Sequence, residues 1–263
     1  MGSAPPYNLI FAVMDVTGRG ILEVIDLGLI PYKDAWDIQT RIHKELVDNK
    51  RAGYPDPQRH FFLLCEHPPV FTLGKSGSED NLRINERERD EYQIEYFKIN
   101  RGGDITFHGP GQLVGYPILD LDLIFTDVHR YVRSLEEVII RVLQRYDISG
   151  IRSDRYTGVW VKNDHARHED AKICAIGVHL SRWVTMHGFA FNINTDLSYF
   201  NHIIPCGIAD PDKSVCSLSS LLGKTVDLQE IKEQIITEFC VVFGLESVIV
   251  PSDRINQFTF QNL

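Results

Sequence analysis

No stretch of the 263-residue chain supplies the 18 or so apolar residues in a row that a membrane-spanning helix needs. The first residues, MGSAPPYN, have neither a basic n-region nor an apolar h-region, which excludes a signal peptide there, and Pro6 stands where a myristoylation site wants Ser or Thr. Cysteine is sparse: Cys65, Cys174, Cys206, Cys216 and Cys240 are scattered, odd in number and without a C-x-x-C pair. That excludes a disulfide framework and a zinc-thiolate site and fits reduced thiols. Basic charge is in deficit, 27 Lys and Arg against 36 Asp and Glu for a net −9, so general nucleic-acid binding is not expected. There is no internal repeat and no low-complexity linker. The expectation is a single domain over 1–263 in the cytoplasm, with residues 1–8 standing outside its ordered part.

What remains is ordinary for a globular core, 43% hydrophobic and 24% charged. Leu9 to Val13 and Ile21 to Leu27 read as strands joined at Thr17-Gly18. Pro31 opens a helix whose apolar stripe is Ala35, Ile38, Ile42 and Leu46, stopped before Gly53-Tyr54-Pro55. FFLLC (Phe61 to Cys65) reads as a buried strand, VFTLG as another, Glu86 to Tyr92 as a short surface helix and Ile94 to Ile99 as a strand. The longest helix is expected near Val128 to Tyr146, with an apolar stripe of Val132, Leu135, Val138, Ile139, Val142 and Tyr146. Its other face carries Arg130, Arg133, Arg141 and Arg145, with Arg152 and Arg155 soon after and Glu137 able to pair locally. Tyr156 to Val161, Ile173 to Leu180 and Val184 to Ile193 read as strands, and Leu228 to Phe243 as a helix. His165, His168, Glu169 and Asp170 share a polar turn read as a charged loop tip, and neither metal nor cofactor is expected. Many short strands with few helices point to an α/β (α+β) fold with a mixed, largely antiparallel sheet flanked by helices.

The densest stretch is RGGDITFHGPGQLVGY, Arg101 to Tyr116, between two apolar runs. Glycine lets a backbone bend sharply and come close to a ligand. On the residues alone a pocket wall and a hairpin loop with a buried His and Gln both fit. Cys206, between Pro205 and Gly207, suits a thiol presented from a loop. A thiol of ordinary pKa near 8.5 is only a few per cent thiolate at neutral pH, and an adjacent lysine ammonium would favour the thiolate and return a proton to a leaving group. Lys172 begins an apolar strand that would bury its stem. A buried structural cysteine and a strand-end lysine fit the same residues.

R-G-G-x-x-T-F-H-x-x-G-Q followed by Tyr116 resembles the signature of the lipoyl (octanoyl) transferases. The likeness continues through KICAIGVHLSRWVTMHGFAFNIN and DLSYFNHIIPCGI, and runs from about Glu66 to Ile208. It implies a Cys206/Lys172 dyad and a ping-pong reaction. Octanoyl-acyl carrier protein donates to the Cys206 thiolate, and the acyl-enzyme then passes the chain to a lysine on lipoyl domains of 2-oxoacid dehydrogenases or the glycine cleavage H protein. No ATP is needed, because a thioester becomes an amide. The substrate residues it implies are Arg101, Gly102, Gly103, Asp104, Ile105, Thr106, Phe107 and His108; Ala175, Ile176 and Gly177; and Gly188, Phe189 and Ala190. The arginines of the long helix are the candidate docking patch for acidic carriers. Strand alternation sets Cys174, a rival thiol, on the Lys172 face. The implied fold is that of the biotin and lipoate protein ligase catalytic domains, and the region after Val215 lies outside the matched blocks.

The alternatives are an ATP-dependent lipoate-protein ligase, a cysteine thioesterase and a non-catalytic carrier-binding module. Asp104 inside the glycine loop disfavours a bound phosphate, and a ligase has no use for Pro205-Cys206-Gly207. Octanoate release would mark the thioesterase, and indifference to loss of Cys206 the module.

Overall fold

The computed structural model describes residues 20–53, 59–162, 170–204 and 213–258. Strand β1 (Ile21–Leu29) leads into α1 (Tyr32–Arg51), then β2 (Arg59–Glu66), β3 (Val70–Leu73), α2 (Glu86–Glu91), β4 (Glu95–Lys98), β5 (Ile105–His108) and β6 (Gln112–Ile118). The second half adds α3 (Val128–Gln144), β7 (Gly150–Arg152), β8 (Val159–Lys162), β9 (Asp170–Ser181) and β10 (Val184–Asn192). It ends with β11 (Lys213–Val215), α4 (Leu218–Leu222), α5 (Leu228–Phe243) and β12 (Glu246–Ile249).

Among the described residues nine strands form one sheet, ordered β12, β1, β2, β6, β10, β9, β8, β7, with β11 beside β9. The pairs β12/β1, β1/β2 and β11/β9 are parallel, and the other pairs of this sheet are antiparallel. The fold is thus α/β with a mixed, mostly antiparallel sheet. A smaller sheet runs β4, β3, β5.

FFLLC is apolar throughout because both faces of β2 are covered. Phe61, Leu63 and Cys65 meet Ala35, Ile38 and Ile42 of α1, while Phe62 and Leu64 meet α3 and α5 on the other side. Helix α3 starts at Asp127, whose carboxylate accepts from Arg130 N at 3.0 Å. Within the expected stripe Val142 and Leu135 are buried, whereas Tyr146 is half-buried and Val132 turns toward a cavity. Helix α5 inserts Ile231, Ile235, Phe239 and Phe243, and Phe239 stacks on Phe62 with ring centroids 4.5 Å apart. The region after Val215 therefore completes the main core, and β12 extends the sheet beside β1.

Three expectations change. Leu9 to Val13 and Thr17-Gly18 lie outside the described residues, and both edges of β1 are taken by β2 and β12. The strand expected from Tyr156 begins at Val159. Strands β7 and β12 went unanticipated because three or four residues carry too little alternation to register.

The small sheet is fastened to the start of α1 by Tyr32, Val70 and Ile99. Between β4 and β5 the glycine-rich loop crosses over β9, where Gly102 N donates to Val178 O at 2.9 Å. The crossing is tight: a Cβ on Gly177 would stand 2.8 Å from Gly102 O and 3.1 Å from Arg101 Cδ. Only glycine permits this approach.

Candidate active site

Beneath that crossing lies a cavity of about 410 Å³, walled by the glycine-rich loop, β9, β10 and the start of α1. Arg101, Gly102, Gly103, Asp104, Ile105, Thr106 and His108 line it from the loop and β5. Lys172, Ala175, Ile176 and Gly177 line it from β9, and Gly188, Phe189 and Ala190 from β10. Phe107 does not. Alternation along β5 turns its ring the other way, stacked on Tyr199 at 4.6 Å in the small-sheet core. The Phe107 ring thus lies outside the cavity wall that its motif neighbours line.

Lys172 is 8% exposed, with Nζ 4.6 Å from the centre of the Trp160 indole. The ring face is a cation–π platform for an ammonium. A register shift sets Trp160 opposite Lys172 but Val159 opposite Cys174, so Ile173 is an extra residue in β9. This bulge reverses the alternation. Lys172 and Ala175 face the cavity, while Ile173 and Cys174 enter the core with Val159 and Phe189. Cys174 is thereby removed from the Lys172 face, and burial drives its thiol pKa far up, only partly offset by the Lys172 charge. A thiol held that way is inert. Behind Lys172, Gly158 donates its N–H to Glu136 Oε1 at 3.1 Å, and the fully buried Glu136 also binds Arg133 Nη1 at 2.8 Å and Arg152 Nε at 3.3 Å.

Cys206, with Pro205 and Gly207, lies outside the described residues, as does the polar turn holding His165, His168 and Glu169. Of the residues that flank 205–212, Val215 lines the cavity. Ile204 N donates to Asn81 O at 2.7 Å, and β11 sets Lys213 against Asp170 and Val215 against Lys172.

A buried polar chain ties these parts together. Arg101 Nη2 donates to Thr72 O at 2.6 Å and to Thr72 Oγ1 at 3.0 Å. His108 sits between Thr72 Oγ1 (Nε2, 3.3 Å) and Gln112 Oε1 (Nδ1, 2.8 Å). Gln112 Nε2 donates to Phe107 O and to Asn192 Oδ1, and Asn192 Nδ2 donates to Cys216 O at 3.0 Å, beside Lys172. Burial, the neighbouring His67 and the Arg101 charge hold His108 neutral, well below the usual imidazole range. Both ring nitrogens are engaged within this network. His67, between Ile30 O and Tyr116 OH at 2.8 Å each, is pushed down to about 4 by burial. Asp104 accepts from Asn81 Nδ2 at 2.5 Å and from Ile105 N at 2.7 Å, which orders the loop end.

Sequence reading passed over Trp160, Tyr32 and His187 as lining or supporting groups. A Gln four residues after a His was the visible signal for the network, and nothing in local sequence marks Trp160. The helix arginines change meaning. Arg141 and Arg152 bind Glu137, Arg133 binds Glu136 and Arg145 binds Glu238, so the expected docking patch is largely neutralised internally. Arg130, over Phe125, and Arg155, on the cavity wall, form no ion pair among the described residues. Among those residues no group of three His, Cys, Asp or Glu side chains could hold a metal ion, and no helix is long and apolar enough to cross a membrane.

Residues 31–240 match the family model of the lipoyl protein ligase A/B catalytic domain. A protein of Christiangramia forsetii named octanoyltransferase is 52% identical over 230 residues, 86% of this chain and 97% of that one. Another so named, from Cytophaga hutchinsonii, is 48% identical over 235 residues, 87% and 95% of the two chains. Among solved structures, a bipartite lipoate protein ligase from Thermoplasma acidophilum superposes with a TM-score of 0.68 at 11% identity, over 92% of this chain and 91% of that one. A lipoate-protein ligase A bound with ATP gives 0.63 at 11% identity, over 92% and 97%. These two share the fold.

Proposed function

Because the chain belongs to the lipoyl protein ligase A/B catalytic-domain family, and within it to the octanoyltransferases, acyltransferases of protein lipoylation, we propose that it moves octanoyl from acyl carrier protein to a lipoyl-domain lysine through a Cys206 thioester. The reading takes residues 1–263 as one catalytic domain. The observation that carries it is Lys172, a lysine buried in the wall of a cavity whose neighbouring wall is Ala175, Gly177, Gly188 and Ala190. Ala175 and Ala190 carry no more than a methyl group in that wall, which leaves room for a hydrocarbon, and a lysine there needs a chemical reason.

In the first half-reaction the Cys206 thiolate attacks the thioester carbonyl of the donor. The C–S bond to the phosphopantetheine breaks, and the Lys172 ammonium protonates the departing sulfur. In the second, the lipoyl-domain ε-amine attacks the acyl-enzyme carbonyl. A C–N bond forms, the C–S bond to Cys206 breaks, and Lys172, now neutral, takes the proton lost by nitrogen. The thiolate and ammonium are restored. Trp160 holds the lysine head through both halves, and the network from Arg101 through His108 to Asn192 fixes the walls that orient the chain. The acceptors are lipoyl domains of 2-oxoacid dehydrogenases and the glycine cleavage H protein.

The test is transfer from octanoyl-acyl carrier protein to a lipoyl domain without nucleotide, read as one octanoyl amide on the domain. A requirement for ATP and free octanoate would replace this reading by a ligase. Octanoate release with the domain unmodified would replace it by a thioesterase.

A further inference from the structure

We propose that His187, with Arg101, is the polar end wall that limits the acyl chain to eight carbons; this rests on the octanoyl-transfer reading. His187 lines the cavity, is 2% exposed, and leaves Nδ1 buried with no hydrogen-bond partner. Its other nitrogen is engaged, Nε2 donating to Asn100 Oδ1 at 2.7 Å. With the proton fixed there, Nδ1 presents a bare lone pair. The backbone is also unusual: His187 has φ +60°, and its N–H donates to Gln39 Oε1 at 3.1 Å. A non-glycine residue with positive φ is uncommon, and here the surrounding bonds hold it. Burial, with the Arg101 charge next, pushes the ring down to about 3, so it stays neutral and keeps that lone pair.

The position matches a length. From Lys172 the cavity wall of β9 continues as Ala175, Ile176 and Gly177, with Ala190, Phe189 and Gly188 paired across from them. His187 follows, paired with Val178. From Ala175 to Val178, the partner of His187, are three rises, about 10 Å. At the rise per bond of an extended chain, C1 to C8 of an octanoyl group span about 9 Å. A methyl end reaching Gly177 and Gly188 rests on small residues. The next carbons would press on the imidazole lone pair and on the buried Arg101 guanidinium, which Thr72 already orients. Hydrocarbon cannot satisfy the Nδ1 lone pair, so extension gains nothing there.

The experiment compares transfer of hexanoyl, octanoyl, decanoyl and dodecanoyl groups from acyl carrier protein by wild type, His187→Gly and His187→Asn. Glycine and asparagine both tolerate the left-handed backbone. Wild type is expected to fall off beyond eight carbons. The decanoyl-to-octanoyl ratio of kcat/KM should rise about tenfold in His187→Gly, the order of discrimination an apolar pocket gives per methylene, and less in His187→Asn, which stays polar. A merely structural role would lower transfer of all lengths together. An unchanged ratio in variants that still transfer octanoyl overturns the end wall and leaves octanoyl transfer standing. Should His187→Gly not fold, the ratio in His187→Asn decides. If wild type transfers no chain of any length, the transferase reading fails and the end wall with it.

Discussion

Lys172 Nζ stands over the face of Trp160, 4.6 Å from the ring centre, the two residues being paired across neighbouring strands β8 and β9. The platform orients the ammonium that the proposed mechanism uses as the acid of its first half-reaction. Trp160→Leu should therefore slow octanoyl transfer by about threefold to thirtyfold, the range of a partly desolvated cation–π contact. Trp160→Phe should lose less. Single-turnover rates of acyl-enzyme formation make the comparison.

Gln112 is held by three buried bonds, to His108 Nδ1, Phe107 O and Asn192 Oδ1. Gln112→Ala leaves each partner short of one. A loss of about 1–3 kcal/mol for each group left unpaired is expected, seen as a lower urea midpoint. Transfer at saturating substrate should fall as well, because the same network sets the cavity wall.

Acid should unfold the protein early. His60 and His67 are held down to about 4 and His187 to about 3 by burial, against 6.5 for the free side chain. Their neutral forms belong to the folded state, so below pH 6.5 the unfolded chain binds protons that the folded chain does not. Stability is therefore fully present above about pH 6.5 and is lost as pH falls toward 4 and below. Denaturation midpoints measured between pH 7 and 4 should show that slope, and it should be shallower in His60→Gln.

Gly158 carries φ +120°, and a Cβ there would meet Cys174 O at 2.5 Å and Lys172 Cε at 3.6 Å. Gly158→Ala should lower the melting temperature and, by pushing on the β9 backbone at Cys174, shift the strand that carries Lys172, with octanoyl transfer falling about tenfold. An active, stable Gly158→Ala protein would show that this wall tolerates movement. The measurement is transfer rate alongside a thermal melt.

Much of this was legible in the sequence because it is local. Ala35, Ile38, Ile42 and Leu46 announce α1 by period, FFLLC announces a buried strand by lacking alternation, and the glycine-rich stretch announces a pocket wall. What was not legible depends on partners far along the chain. The side to which Cys174 points is set by one extra residue in β9, visible only against β8. The charge of the α3 arginines is cancelled partly by Glu238, nearly a hundred residues away, which no i,i+4 rule anticipates. Strand β12 is four residues whose place is decided by β1. Phe107 was grouped with its neighbours in the motif, although a strand must send alternate side chains to opposite sides.

The most direct measurement is intact-protein mass after incubation with octanoyl-acyl carrier protein, on wild type, Cys206→Ser and Lys172→Ala. The account predicts one octanoyl adduct on wild type that moves to a lipoyl domain without ATP, none on Cys206→Ser, and strongly slowed formation on Lys172→Ala. An adduct that survives in Cys206→Ser, or modification of the lipoyl domain with no adduct and only with ATP, would contradict it.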